Sequence, residues 1–316
     1  MESRAPRIVF MGTPELAAHC LKAIIDAGQQ VAGVITAPDR PAGRGRKLSQ
    51  SPVKRLAREQ NLPLLQPENL KDAGFNDRLR ALKPDLQVVV AFRMLPEMVW
   101  SLPPMGTFNM HASLLPDYRG AAPINWVIIN GETETGVTTF LLDRQIDTGK
   151  ILLRKRIPIE PGETAGSLHE KVKREGASIV LETINILASG EVKPIDQGEL
   201  HPKDGQLHKA PKIFREDGRI DWGRSCREVV NLIRGLNPVP GAFCEVDQGG
   251  DQALYLKLYE AIPEPATHAY KPGTLITDHK TSLKFAASDG YVHVNVLQAP
   301  GKKPMTTEEF LRGHQF

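Results

Sequence analysis

The chain has 316 residues, room for two domains of ordinary size. Its 41% hydrophobic and 24% charged residues are the mix of a soluble globular protein rather than a disordered or membrane one. A net charge of +3 does not by itself name a nucleic-acid partner, because whole-chain charge says nothing of patches. No apolar run approaches a membrane span, so no membrane partner is expected. The opening M-E-S-R-A-P-R leads into an apolar run too short for a signal peptide, and cytoplasm is the expected compartment. Cys20, Cys226 and Cys244 are odd in number and lack C-x-x-C spacing, which reads as reduced thiols with no metal site.

Residues 7–11 (R-I-V-F-M) form the apolar run of a buried parallel strand. G-T-P-E then turns the chain, with Pro14 and Glu15 suited to a helix start. Leu16, Cys20, Leu21, Ile24 and Ile25 recur at helical spacing until Gly28. A second strand follows at 31–35. This is a β-α-β opening, but without G-x-G-x-x-G no dinucleotide site is expected. Residues 38–48 (P-D-R-P-A-G-R-G-R-K-L) carry two prolines and two glycines, so regular structure is not expected there. Arg40, Arg44, Arg46 and Lys47 crowd positive charge onto this segment. It reads either as a solvated flexible loop or as a basic finger for phosphates.

Helices are expected at 53–60 and 76–82, and strands at 64–65 and 86–91. F-R-M-L-P-E-M-V-W comes next. The stretch T-F-N-M-H-A-S-L-L-P-D-Y-R-G, 107–120, opens as a strand and breaks into a loop at Ser113, Pro116 and Gly120. Alternation puts Asn109 and His111 on one face at its end, where open α/β sheets place ligands. A helix at 121–130 and strands at 136–142 and 151–157 follow. Between the two strands, I-D-T-G sets Asp147 on a turn. A helix at 164–187 closes a mostly parallel, Rossmann-like sheet covered on both faces, in a first domain of residues 1–200.

Composition shifts to Gly, Pro, Lys and His over 190–212, a linker. Residues 226–236 read as a helix. Short strands at 242–246, 254–261, 273–277, 282–286 and 291–297 suit a smaller C-terminal OB-like β-barrel, completing a second domain of residues 201–316. Residues 201–235 hold eight basic and five acidic side chains, so any nucleic-acid contact is expected along the linker and helix.

An amide, an imidazole and a carboxylate at strand ends suit acyl chemistry without a covalent nucleophile. No G-x-S-x-G elbow accompanies Ser113, which reads as structural. N-M-H-A-S-L-L-P-D-Y-R-G with the downstream D-T-G resembles the formyltransferases that use 10-formyltetrahydrofolate. The wider chain is similar to the methionyl-tRNA formyltransferases over nearly its whole length. The resemblance implies that Asn109, His111 and Asp147 are catalytic. The pterin-binding segment falls on Phe92, Arg93, Met94 and Leu95, with Ser113, Leu114, Leu115 and Pro116 also at the folate. The family pattern has glycine where Arg93 stands. The resemblance also makes 38–48 the loop inserted into the acceptor end of initiator methionyl-tRNA, with Arg40, Arg44, Arg46, Lys47, Lys209 and Lys212 as tRNA contacts. Arg119 then lies beside the site.

Transfer of a formyl group from N10 to an amine passes through a tetrahedral oxyanion, which needs donors aimed at the oxygen and one proton-handling group. Asn109 is the expected donor to that oxygen. His111 donates when protonated, a form that a nearby Asp147 favours. The ester-activated amine is largely neutral, so no strong base is required. The expected product is formylmethionyl-tRNA for translation initiation, made by a monomer. The alternative is the same chemistry on a purine precursor or sugar nucleotide. Because the parallel sheet is complete by about residue 205, that part is expected to fold and bind folate alone.

Overall fold

The computed structural model describes residues 5–42, 47–200, 205–247 and 253–314. Its contacts divide into two compact units. One comprises residues 1–120, 135–157 and 170–209, and the other 121–134, 158–169 and 210–316.

In the first unit β1 (Ile8–Gly12), α1 (Glu15–Asp26) and β2 (Val31–Ile35) form the opening crossover. A short ribbon of β3 (Arg40–Ala42) and β4 (Lys47–Ser49) precedes α2 (Pro52–Glu59), β5 (Leu64–Leu65) and α3 (Ala73–Ala81). Then come β6 (Leu86–Val90), α4 (Glu97–Trp100), β7 (Thr107–His111) and β8 (Arg119–Gly120). Beyond α5 (Pro123–Ile129) of the second unit, β9 (Glu134–Leu141), β10 (Ile151–Pro158) and α6 (Ala165–Ser189) complete the set.

The seven-stranded sheet runs β10-β9-β7-β6-β1-β2-β5. The pairs among β7, β6, β1, β2 and β5 are parallel, and β9 runs antiparallel to β7. All five residues of β1 and of β6 are buried, as expected of central strands covered on both faces. The chain order β6-α4-β7 brings the carboxyl end of β7 next to its antiparallel neighbour β9. His111 faces Thr138 in that ladder, which sets the site at the carboxyl end of β7, inside the sheet where parallel order gives way to antiparallel.

Two expectations need correction. Residues 38–48 are not wholly irregular: Arg40 pairs with Ser49 and Pro41 with Leu48 in an antiparallel ribbon. A two-stranded ribbon needs few ladder bonds, so a proline that removes one donor is tolerated there. The segment 190–212 is also more than a linker. Ile195 and Ile151 exchange both backbone hydrogen bonds at 2.8 Å, and a 3₁₀ turn follows at Gln197–Glu199.

The second unit packs α5 with α7 (Cys226–Gly235), which follows the two-residue β11 (Lys209–Ala210) in the chain. Its antiparallel sheet, a curled half-barrel, contains β12 (Ala242–Val246), β13 (Leu254–Pro265), β14 (Leu275–Thr277), β15 (Leu283–Ala286) and β16 (Gly290–Gln298). β17 (Met305–Thr306) adds to β16, and α8 (Thr307–Leu311) follows. Register shifts near Glu260 bend the β13–β16 ladder, the job of a bulge in a curled sheet. Phe285, Phe310, Leu256 and Leu258 lie in its core with Val229 and Ile233 of α7.

Candidate active site

His111 ends β7 and is only 6% exposed. Its Nε2 lies 2.9 Å from the carbonyl oxygen of Tyr118. A carbonyl only accepts, so Nε2 carries the hydrogen and donates it. That leaves Nδ1 on the side of Asp147, whose Oδ2 is 4.0 Å away. The gap is too long for a direct hydrogen bond and suits a bridging water or a reacting proton. Asn109 lies two residues earlier on the same face of β7, half-buried.

The loop after β7 is built to aim that carbonyl. Tyr118 is buried with φ +57°, a left-handed backbone that a bulky residue adopts only under constraint. Its N–H donates to the carbonyl of His208 at 2.9 Å and to Asp117 Oδ1 at 3.1 Å. The same carboxylate accepts from the His208 N–H at 2.6 Å, and the His208 ring stacks on Tyr118 with centroids 5.2 Å apart. Ser113 is fully buried, and its hydroxyl donates to the Asp117 carbonyl at 2.6 Å.

Asp147 stands on a turn at φ +57°. Its Oδ2 accepts from the Gly120 N–H at 3.2 Å. The turn presses against β9: a Cβ on Gly149 would lie 1.7 Å from the Leu141 carbonyl oxygen, so only glycine fits. Asp143 ties the other side, accepting from the Gln145 N–H and the Thr148 hydroxyl at 2.9 Å each. Sequence reasoning gave no role to Asp117, which lies within the N-M-H-A-S-L-L-P-D-Y-R-G motif, and missed His208 and Gln197, which lie outside the motifs.

Of the residues implied at the folate, Phe92 is half-buried against the core and Met94 is 70% exposed. Leu95 and Leu115 are core side chains, and Pro116 is buried, so these three offer backbone rather than side chain. Leu114 lies against β9, where a Cβ on Gly136 would meet it at 2.4 Å. The Arg93 guanidinium turns to the carbonyls of Glu68, at 2.7 Å, and Pro67. Desolvation, and then Arg40, push its pKa below the ordinary arginine value. Arg93 thus braces residues 67 and 68.

The basic ribbon is rooted by Asp39, which accepts from the buried Lys54 at 2.6 Å and from Gln66 at 3.1 Å. Those bonds, Lys54 first, hold the Asp39 carboxyl below the usual range. Arg40 is exposed. Arg44 and Arg46 lie outside the described residues, and Lys47 is placed only as strand backbone. Lys209 and Lys212 are exposed, and the Lys212 ammonium lies 5.3 Å from the ring of Phe214, itself 61% exposed.

Residues 6–184 match the family described as formyl transferase, and residues 212–315 match its C-terminal domain. The chain belongs to the formyl transferase family. Within that family it is 50% identical to a methionyl-tRNA formyltransferase of Bacteroides fragilis over 99% of this chain and 96% of that one. That likeness puts it among the methionyl-tRNA formyltransferases. In fold it is similar to HypX of Aquifex aeolicus solved with tetrahydrofolic acid, at 20% identity and TM-score 0.63. The alignment covers 98% of this chain and 47% of HypX, so this formyltransferase spans about half of that longer protein. A Helicobacter canadensis N-formyltransferase solved with folinic acid and dTDP-3-aminofucose gives TM-score 0.66 at 17% identity, over 92% of this chain and 98% of that one. Among the described residues no helix is long and apolar enough to cross a membrane, and no group of side chains is arranged to hold a metal ion.

Proposed function

We propose that this formyltransferase moves the formyl group of 10-formyltetrahydrofolate to the amino group of initiator methionyl-tRNA through Asn109, His111 and Asp147. The observation that carries the reading is the imidazole whose Nε2 is committed to a backbone carbonyl while Nδ1 faces a carboxylate 4.0 Å away. Such a ring keeps one nitrogen for proton exchange. The amine attacks the formyl carbon, and the oxyanion that forms is met by the Asn109 amide and by protonated His111. The amine's surplus proton leaves through water towards Asp147 and is passed on to N10. The C–N10 bond then breaks, and N10 departs as a neutral amine when the intermediate collapses. No side chain forms a covalent bond.

The folate segment is Phe92–Leu95 with Ser113–Pro116, read chiefly as backbone contacts because several of these side chains are buried. The tRNA surface is the sequence segment 38–48, with Arg40, Arg44, Arg46 and Lys47, together with Lys209 and Lys212. An exposed cation beside an exposed ring, as at Lys212 and Phe214, suits phosphate and base contacts. The domain division proposed is 1–200 for catalysis and 201–316 for tRNA binding. The protein works as a monomer in the cytoplasm, where charged tRNA is made and used.

The test mixes protein and formyl donor with methionyl-tRNA, glycinamide ribonucleotide or an amino-sugar nucleotide, and follows which is formylated. His111→Ala and Asp147→Asn are each expected to lower kcat by at least about a hundredfold while leaving tRNA affinity near wild type. Near-wild-type turnover by either would remove it from the mechanism.

A further inference from the structure

Gln197 belongs to no motif, yet it is only 4% exposed. A carboxamide at that depth must satisfy both N–H groups and its oxygen. Its Nε2 donates to the carbonyl of Asp147 at 3.0 Å and to that of Gly149 at 2.8 Å. Its Oε1 accepts from Arg119, from Nε at 3.1 Å and from a second guanidinium nitrogen. Ile195, two residues earlier, is locked to Ile151 by paired backbone bonds, so the amide is delivered from a fixed backbone.

We propose that Gln197, held by Arg119, is a positioning residue for the Asp147 carboxylate, an inference that rests on Asp147 as the proton-handling group. The amide spans the turn from both sides of Thr148 and pins its two outer carbonyls. Those peptides fix the left-handed backbone of Asp147 and with it the direction of Cβ. Arg119 and Gly120 grip the turn together, the side chain through Gln197 and the backbone N–H directly on Oδ2. Only an amide completes this bridge. A glutamate would face two carbonyls with oxygen and no hydrogen, and a leucine would leave both carbonyls and the guanidinium unpaired.

The test measures kcat and KM on methionyl-tRNA for Gln197→Glu, Gln197→Leu and Arg119→Met, each alone and combined with Asp147→Asn. Each single change is expected to lower kcat by about tenfold or more, with KM for tRNA within about twofold of wild type. In the Asp147→Asn background the second change is expected to lower kcat no further, because the group being aimed is gone. Arg119 is half-buried rather than core, so its variant keeps the test open if a Gln197 variant fails to fold. Wild-type kcat in the folded single variants, or losses that multiply with Asp147→Asn, would overturn the positioning role. Wild-type turnover by Asp147→Asn alone would overturn the reading of Asp147, and this inference with it.

Discussion

The Tyr118 carbonyl holds one hydrogen of the His111 ring, and Asp117 holds Tyr118 through the N–H groups on either side of the stacked His208 contact. Asp117→Ala removes the acceptor of two backbone donors without touching His111. It should loosen the left-handed Tyr118 and lower kcat several-fold, about 1 kcal/mol of transition-state stabilisation. Nitrogen NMR of the His111 ring provides the direct check: wild type should show hydrogen on Nε2, and the variant a tautomer mixture. Gly149 sets a harder limit. A methyl group 1.7 Å from a carbonyl oxygen forces the turn off β9, so Gly149→Ala should cost about 2 kcal/mol or more in a urea melt.

Two structural elements show how helix ends and strand interiors tune their side chains. At the start of α7, Ser225 and Glu228 form a reciprocal capping box, and Asp289 adds a third acceptor, 2.7 Å from the Cys226 N–H. That bond holds the Asp289 carboxyl below its ordinary range against a smaller burial effect. A carboxyl lowered on folding stabilises fully above its unfolded value, about 3.9, and the gain fades as pH falls through the folded value. Asp289→Asn should therefore destabilise at pH 7, with the gap to wild type closing in acid denaturant melts. Inside α1 and β12, burial pushes the Cys20 and Cys244 thiols up to about 12. Thiolate is the reactive form, so neither should label with a maleimide in the native protein at pH 8, while both label in denaturant.

For the whole molecule, the decisive feature is that the two compact units are not divided by one cut in the chain. α5 interrupts the first unit in sequence but packs with α7: Asn125 donates to the Gly235 carbonyl at 2.8 Å, and a Cβ on Gly235 would meet Ile129 at 2.5 Å. A chain ended after Lys209 loses α7 and with it the core against which Ile129 of α5 packs. Such a fragment is expected to bind a hydrophobic dye and to melt well below the full protein. A fragment as stable as the full chain would mean that α5 finds other cover. Binding of tRNA by the full protein should weaken steeply with salt, and Arg44→Ala should lower the slope of log K against log salt by roughly one unit.

By itself, the sequence determined the local things. The apolar runs of β1, β2 and β6 and the alternation that sets Asn109 and His111 on one face were readable because hydrophobic period and turn chemistry act within a few residues. The roles proposed for Asn109, His111 and Asp147 came from the resemblance that the N-x-H and D-T-G motifs carry. The tertiary structure alone decided which nitrogen of His111 is free, what Arg93 holds, and that Gln197 and His208 belong to the site. Gln197 reaches Asp147 across 50 residues, and Asp117 meets His208 across 91. No local pattern marks such partners, because a buried polar group is selected by the atoms that the folded chain brings to it.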